Sequence, residues 1–274
     1  MTSITVGIIG YGYVGKAVYK YFENKYKTIW YDPYLEGSVS KNEINQCYLG
    51  VICVPTPSLN DGTCDVSAVE EVVDWLTTDI ILIKSTVKIG TTSKLKQKTG
   101  KKICFSPEYI GESDYDVGYF NFNKDMNNHN FFTFGGNPND TSKLVEIFQR
   151  ISGPTKTYRE VDETSAEITK YMTNAFLSTK IIFCYELDQI CKKFNCDYNK
   201  IRELWLLDPR VGRSHTSVFY DSESPFSGKC LPKDIKSLIN SSIEQGYECE
   251  FLKEVLASNN RIEQIRQKSN MYTI

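Results

Sequence analysis

The sequence predicts an α/β fold in two parts: a doubly wound parallel sheet with flanking helices over residues 1–161, then an all-helical domain over residues 162–274 built on one long helix. Three observations predict it. Short apolar runs alternate with amphipathic stretches through the first half. A glycine-rich turn joins the first run to the first amphipathic stretch, and beyond about residue 160 the apolar spacing becomes helical throughout.

Taken in order, Ile4–Ile9 reads as a strand, Val14–Glu23 as a helix and Thr28–Tyr31 as a second strand. Leu49–Val54, Ile80–Ile83 and Lys102–Phe105 are further strands, with the amphipathic stretch Ser67–Leu76 between the first two. Phe131–Phe134 and the helical stretch Asp140–Arg150 add another unit after a polar, Asn-rich loop, Asn121–Asn130. Strands alternating with helices require parallel βαβ units with right-handed crossovers. From Asp162-Glu163-Thr164 to Phe194, the residues Ile168, Met172, Ala175, Phe176, Ile182, Phe183, Leu187 and Ile190 recur at helical spacings without Pro or Gly. That predicts one helix over residues 163–194, roughly eight turns at ~3.6 residues per turn. Its broad apolar coverage predicts burial on several sides, partly by a second subunit. Further helices are expected at Tyr198–Leu206, Lys233–Gln245 and Glu250–Lys268.

Composition narrows the function classes. Over 274 residues, 32 Lys and Arg face 34 Asp and Glu, so no global basic field exists to attract nucleic acid. No run approaches the ~18 apolar residues of a membrane span, and Met1-Thr2-Ser3-Ile4 leads straight into a strand rather than a signal peptide. The nine cysteines form an odd set without a Cys-x-x-Cys pair, and Cys53 and Cys104 lie in apolar runs as small core filler. A reduced, cytoplasmic compartment is expected. His129 and His215 lie far from any paired cysteines, so no metal site is expected.

Gly10-Tyr11-Gly12-Tyr13-Val14-Gly15 matches G-x-G-x-x-G between a strand and a helix. That arrangement aims backbone N–H groups at a pyrophosphate. Gly10 permits the tight turn, Gly12 lets a cofactor approach and Gly15 lets helix and strand pack closely. Asp32 ends the second strand, where a carboxylate accepts ribose hydroxyls and repels a 2′-phosphate. A Rossmann-type domain binding NAD rather than NADP is the expectation; a tight turn without ligand is the alternative.

Ser227-Gly228-Lys229-Cys230-Leu231-Pro232-Lys233-Asp234 is the second informative segment. Pro232 suits the first position of a helix, which places Cys230 just before a helix N-terminus with Lys229 and Lys233 nearby. Dipole and charge both favour a thiolate there. On its residues alone, Cys230 reads equally as a reactive thiol or as a structural cysteine.

These segments resemble the nucleotide-sugar 6-dehydrogenases, the UDP-glucose/GDP-mannose dehydrogenase family. The cysteine segment is similar to that family's Gly-Gly-x-Cys-x-Pro-Lys-Asp box. Val54-Pro55-Thr56-Pro57, Lys84-Ser85-Thr86-Val87 with Gly90-Thr91-Thr92, and Ser106-Pro107-Glu108-Tyr109-Ile110-Gly111-Glu112 resemble successive family segments. So do Glu167 to Phe176, with its Glu-x-x-Lys-Tyr-x-x-Asn-Ala pattern, Asp208-Pro209-Arg210-Val211-Gly212, and Ser258-Asn259-Asn260.

The resemblance implies a four-electron, NAD-dependent oxidation of a sugar's primary alcohol to a carboxylate, with UDP-glucose or a related UDP-sugar as substrate and UDP-glucuronate as the type product. It implies a Cys230 thiohemiacetal and thioester, with Lys170 and Asn174, one helical turn apart, donating to the oxyanion. Asp234 would orient water or Lys170, Glu108 would act as base or water-positioning group, and Thr86 would hold the water. For the cofactor it implies Gly10, Tyr11, Gly12, Tyr13, Val14, Gly15, Asp32, Val54, Thr56, Thr86, Glu112 and Lys233. For the substrate it implies Lys170, Asn174, Arg210, Tyr220, Phe226 and Gly228, Arg210 reaching the neighbouring subunit of a homodimer built on the long helix. Without the resemblance, Lys170 and Asn174 read as a solvated helix face and the isolated Glu and Thr residues as loop chemistry. Ser227 and Lys229 depart from the family box, and the sequence stops at Ile274, where members continue into a second nucleotide-binding domain. Two alternatives stand beside the enzyme: an NAD-binding regulatory or dimerisation partner without turnover, and the same chemistry on another activated or smaller sugar alcohol.

Overall fold

The structure, a computed structural model, describes residues 4–111, 122–219, 224–227 and 230–271, with side chains described through residue 265. The chain runs β1 (Thr5–Ile9), α1 (Tyr13–Glu23), β2 (Lys27–Tyr31), α2 (Lys41–Asn45), β3 (Leu49–Ile52), α3 (Ser67–Trp75), β4 (Ile80–Ile83), α4 (Thr91–Thr99), β5 (Ile103–Phe105), β6 (Phe131–Gly135), α5 (Pro138–Ser152) and β7 (Thr157–Val161). It continues through α6 (Glu163–Lys193), α7 (Tyr198–Trp205), α8 (Leu231–Glu244) and α9 (Glu250–Met271).

The strands form one seven-stranded sheet in the order β2-β1-β3-β4-β5-β6-β7. Alternation decides which side chain faces which layer. Val6, Ile8, Leu49, Val51, Ile80, Leu82 and Cys104 pack with α1 and α5 through Val18, Phe22, Leu144 and Phe148. Their neighbours Ile9, Ile52, Ile81, Ile83, Ile103 and Phe105 pack with Ile44 of α2, Val69 and Val73 of α3 and Leu95 of α4. Helices on both faces give the doubly wound layer arrangement expected from the sequence.

One pairing departs from an all-parallel reading. β6 is antiparallel to β5, with Phe105 opposite Gly135, while β6 and β7 run parallel. Among the described residues, the connection between β5 and β6 contains only a 3-10 turn, Met126–Asn128. The chain thus turns back from the end of β5 into an antiparallel neighbour.

Compact packing divides the chain between Lys170 and Tyr171, the second unit also taking Asn60–Thr63. The sequence placed its boundary at the start of the long helix; the structure holds the first two turns of that helix on the first unit. Glu163 pairs with Lys96. Glu167, fully buried, accepts from Gly90 N (2.5 Å), Thr92 N (2.9 Å) and Thr92 Oγ1 (2.6 Å). It thereby caps α4, whose own N-cap Gly90 has no side chain to do so.

In the second unit the core comprises Ile181, Ile182, Cys184, Tyr185 and Cys191 of α6 with Tyr198, Val218, Phe226, Ile235, Ile239, Cys249 and Val255. The opposite face of α6 carries Met172, Phe176, Phe183 and Ile190, continued by Phe194 just past its end, all 46–75% exposed. At ~100° per residue these five fall within about 40° of one another. No described helix is long and apolar enough to cross a membrane.

Candidate active site

In the first unit, Gly10 takes φ +87°, and a Cβ there would lie 2.8 Å from Cys53 O. Only glycine fits this turn. A Cβ on Gly15 would lie 2.0 Å from Gly10 O, so α1 can pack against the turn only without a side chain there. Gly12 is different: a Cβ would meet nothing within 4 Å, so its backbone faces open space. Gly12 is also the N-cap of α1 and supplies no side-chain cap, which leaves the helix end available to an anion.

Asp32, directly after β2, accepts from Tyr11 N (2.9 Å) and Tyr34 N (3.1 Å). This fixes the carboxylate beside the glycine turn, where an adenosine ribose would sit. Tyr11 stacks on Trp30 (centroids 4.2 Å apart), and Tyr13 donates to Gly111 O (2.9 Å). Val54 O accepts from Ser85 Oγ (2.7 Å), and Thr86 O accepts from Thr56 Oγ1 (2.7 Å) and from the buried Cys64 thiol (3.3 Å). The loops after β3 and β4 are thus one bonded group. An anion-ready helix end, open space over Gly12 and a ribose acceptor together fit a dinucleotide.

The same unit contains a buried charged group of which sequence reading named Glu108 but not its partner Lys84. Lys84, just past β4, is 3% exposed and Glu108, past β5, is 5% exposed. Lys84 Nζ lies 3.3 Å from Glu108 Oε2 and donates to Ser106 Oγ (3.1 Å) and Pro107 O (3.3 Å). Glu108 Oε1 accepts from Tyr109 N (2.7 Å) and Ile110 N (3.0 Å). Burial acts to push the Glu108 carboxyl up, but Lys84, His129 and the two N–H groups outweigh it and hold it below the usual range. Burial pulls the His129 imidazole down, with Glu108 opposing. Lys170 Nζ donates to Glu108 O (2.6 Å) and lies 5.4 Å from the centre of the Tyr109 ring. The signal lies in the strand pairing rather than in the sequence alone: Ile83 and Phe105 are paired in register, and a base and an acid follow those two strands.

In the second unit, Cys230 is exposed and is the N-cap of α8, with no side-chain capping bond. Its carbonyl accepts from Asp234 N (2.9 Å). The helix begins at Leu231, one residue before the expected Pro232 start. Asp234 is 1% exposed; its Oδ2 accepts from Asn174 Nδ2 (2.5 Å) and its Oδ1 lies 2.7 Å from Lys233 Nζ. A thiol at an open helix N-terminus thus sits one turn before a buried carboxylate–amide pair. Arg210 is exposed and bonded to Asp208. Phe226, expected at the substrate, is a core side chain at 1% exposure whose N–H donates to Asn259 Oδ1 (3.0 Å). Glu112, Tyr220 and Gly228 lie outside the described residues.

Comparison with known proteins adds the family. Residues 21–151 match the NAD binding domain of the UDP-glucose/GDP-mannose dehydrogenase family, and residues 164–261 match that family's central domain. A UDP-glucose 6-dehydrogenase of Haloferax volcanii is 27% identical over 82% of this chain and 55% of its own length. One from Bacillus subtilis is 29% identical over 76% of this chain and 48% of its own length. The chain therefore spans about half the length of the curated relatives it matches. A UDP-glucose dehydrogenase structure from Pyrobaculum islandicum shares the fold, with a TM-score of 0.78 at 22% identity over 94% of this chain and 68% of that one. Two matches to one family, in its domain order and over most of the sequence, show that the chain belongs to the UDP-glucose/GDP-mannose dehydrogenase family, its NAD-binding domain preceding its central domain.

Proposed function

We propose that this chain oxidises the primary alcohol of a nucleotide sugar, UDP-glucose or a related UDP-sugar, to the carboxylate, yielding the uronate. The observation that carries the reading is the exposed Cys230 thiol at the open end of α8, one turn before Asp234. NAD, when bound, supplies the hydride acceptor for each of the two oxidations. The turn from Gly10 to Gly15, with Asp32, Val54, Thr56 and Thr86, would hold it; Glu112 and Lys233 complete the expected set.

The first oxidation takes the alcohol to an aldehyde. The Cys230 thiolate adds to the aldehyde carbon, and loss of a second hydride from the thiohemiacetal leaves a thioester. Water then displaces the thiolate and releases the carboxylate. Lys170 and the second N–H of Asn174 are donors to the oxyanion that develops at each addition. Asp234 fixes the Asn174 amide through their 2.5 Å bond. Of the two roles expected of Glu108, water positioning together with Thr86 is better supported than general base, because an anion pinned by Lys84 and two N–H groups accepts a proton poorly. Arg210, Tyr220 and Gly228 remain assigned to the substrate, and Phe226 shapes that region from within the core.

The proposal extends to a homodimer through the exposed apolar face of α6, whose five large side chains need a partner surface. Nine free cysteines support a reduced, cytoplasmic setting.

The test is NADH formation against a panel of nucleotide sugars and smaller sugar alcohols, with Cys230→Ser beside the wild type. Two NADH per UDP-sugar, and no sustained turnover in the variant, are expected. NAD binding without turnover on any alcohol would replace this reading with that of a non-catalytic NAD-binding partner.

A further inference from the structure

We propose that Lys84 is a positioning residue: by bonding three consecutive residues past β5 it fixes the Glu108–Tyr109 turn so that the turn receives Lys170. The proposal rests on the reading of Lys170 as the substrate-side cation. Lys84 reaches Ser106 Oγ, Pro107 O and Glu108 Oε2 at 3.1–3.3 Å, so one ammonium spans a side chain, a carbonyl and a carboxylate in sequence. The other carboxylate oxygen of Glu108 is tied to the N–H groups of Tyr109 and Ile110. With both ends held, the next carbonyl, Glu108 O, has one direction, and Lys170 Nζ meets it at 2.6 Å. The Tyr109 face adds a second contact to the same ammonium.

A purely structural role is a poor account of this arrangement. Lys84 Nζ lies 6.0 Å from the centre of the Phe148 ring, among core aromatics. A buried ion pair stabilises a fold little better than apolar side chains of similar size would, and its best-attested use is to specify one geometry. Among the described residues, the titratable groups beside Glu108 are Lys84, His129 and Cys53, with Lys170 of α6 on its carbonyl. Burial and the Glu108 charge push the Cys53 thiol up, and His129 is held down, so both are neutral at neutral pH. Among the described residues, Lys84 is the cation paired with the Glu108 carboxylate, whereas Lys170 meets the backbone carbonyl of the same residue. Without Lys84, burial governs, and the Glu108 carboxyl takes up a proton at higher pH.

Two measurements test the proposal. In turnover with a UDP-sugar, Lys84→Met should lower kcat at least tenfold, leave the KM for NAD within twofold, and move the acid limb of the kcat–pH profile upward by a unit or more. Lys84→Arg should restore the limb but only part of kcat, and Glu108→Gln added to Lys84→Met should remove the limb's displacement. An unchanged profile, or parallel losses of NAD affinity and kcat, would overturn it. The second measurement needs no turnover: lysines of the intact chain are 13C-methylated, the Lys170 signal is identified with Lys170→Arg, and its chemical shift is compared with and without Lys84→Met. A moved signal supports the lock, and an identical one overturns it. If Lys84→Met does not fold, the charge-neutral double variant with Glu108→Gln carries the same comparison. Should Lys170→Met keep full turnover while the signal still moves, the role of Lys170 fails and the lock stands.

Discussion

Gly12→Ala separates cofactor binding from folding. Gly12 has φ −75° and ψ −156°, a conformation open to alanine, and a Cβ there meets no atom within 4 Å. Alanine restricts the unfolded chain, which stabilises a compatible site by about 0.4–1 kcal/mol. At ~2–4 °C per kcal/mol for a unit of this size, the melting midpoint rises by about 1–4 °C. The same methyl projects into the space that a pyrophosphate would use. Crowding a close-packed contact costs about 1–3 kcal/mol, which at ~1.4 kcal/mol per tenfold weakens NAD roughly 5- to 150-fold. Gly15→Ala is the contrast, because its Cβ would lie 2.0 Å from Gly10 O and the turn itself must break. Calorimetric NAD titration beside thermal melts of both variants reads the two effects apart. A Gly12→Ala chain that binds NAD like the wild type, or melts as low as Gly15→Ala, would refute this account of the turn.

Two further outcomes concern the second unit. Burial and the Lys180 charge hold the His215 imidazole at about 4, against an ordinary 6.5. Because the unfolded chain takes up that proton first, stability present above pH 6.5 is lost as pH falls from there toward 4. At about 1.4 kcal/mol per unit the loss is at most ~3.5 kcal/mol, reduced by solvent screening of a ring that is only partly buried. His215→Asn keeps a residue that tolerates the left-handed backbone at φ +61°. It should flatten the melting-point slope across that window, and an unchanged slope would clear His215 of the effect. On α6, Phe176→Glu with Phe183→Glu should convert a dimer into a folded monomer by light scattering; a wild-type chain that is monomeric at micromolar concentration would reject the dimer.

Legibility in the sequence followed burial. β1, β3, β4 and β5 were readable because their residues are apolar on both faces, as strands covered by helices on both sides must be. β7 was not, since Thr157, Arg159, Glu160 and Val161 lie exposed at the sheet edge. α4 was missed because its buried residues are Thr91, Thr92 and Leu95, too little apolar pattern to show a period. The glycine turn, Asp32 and the cysteine segment carried local signatures. Lys84 carried none: a lysine after an apolar run reads as a solvated end, and only the pairing of β4 with β5 reveals that it faces Glu108. Phe226 shows the converse: a family segment names a residue without stating which way its ring points, and here the ring lies in the core.

The reversed strand accounts for much of how the first unit assembles its chemistry. β1 to β5 run parallel, so their ends share one edge. Gly10, Asp32, Cys53 to Thr56, Lys84 to Thr86 and Ser106 to Glu108 follow those ends in turn, at the edge where open α/β sheets bind ligands. β6 runs the other way and therefore starts at that edge, which brings Phe131 and His129 to 5.3 and 6.2 Å from the Tyr109 ring. β7, parallel to β6, also runs away from that edge and ends at Val161, level through Gly135 with Phe105 at the end of β5. α6 must then climb back along α4, and its contacts record the climb: Glu163 to Lys96, Glu167 to Thr92 and Gly90, Lys170 to Glu108. Had β6 and β7 run parallel to β5, the reversal into α6 would point the long helix away from the ligand edge, and Lys170 away from the Glu108 turn. The antiparallel pairing is thus what lets a residue two turns into the long helix reach the turn that Lys84 holds.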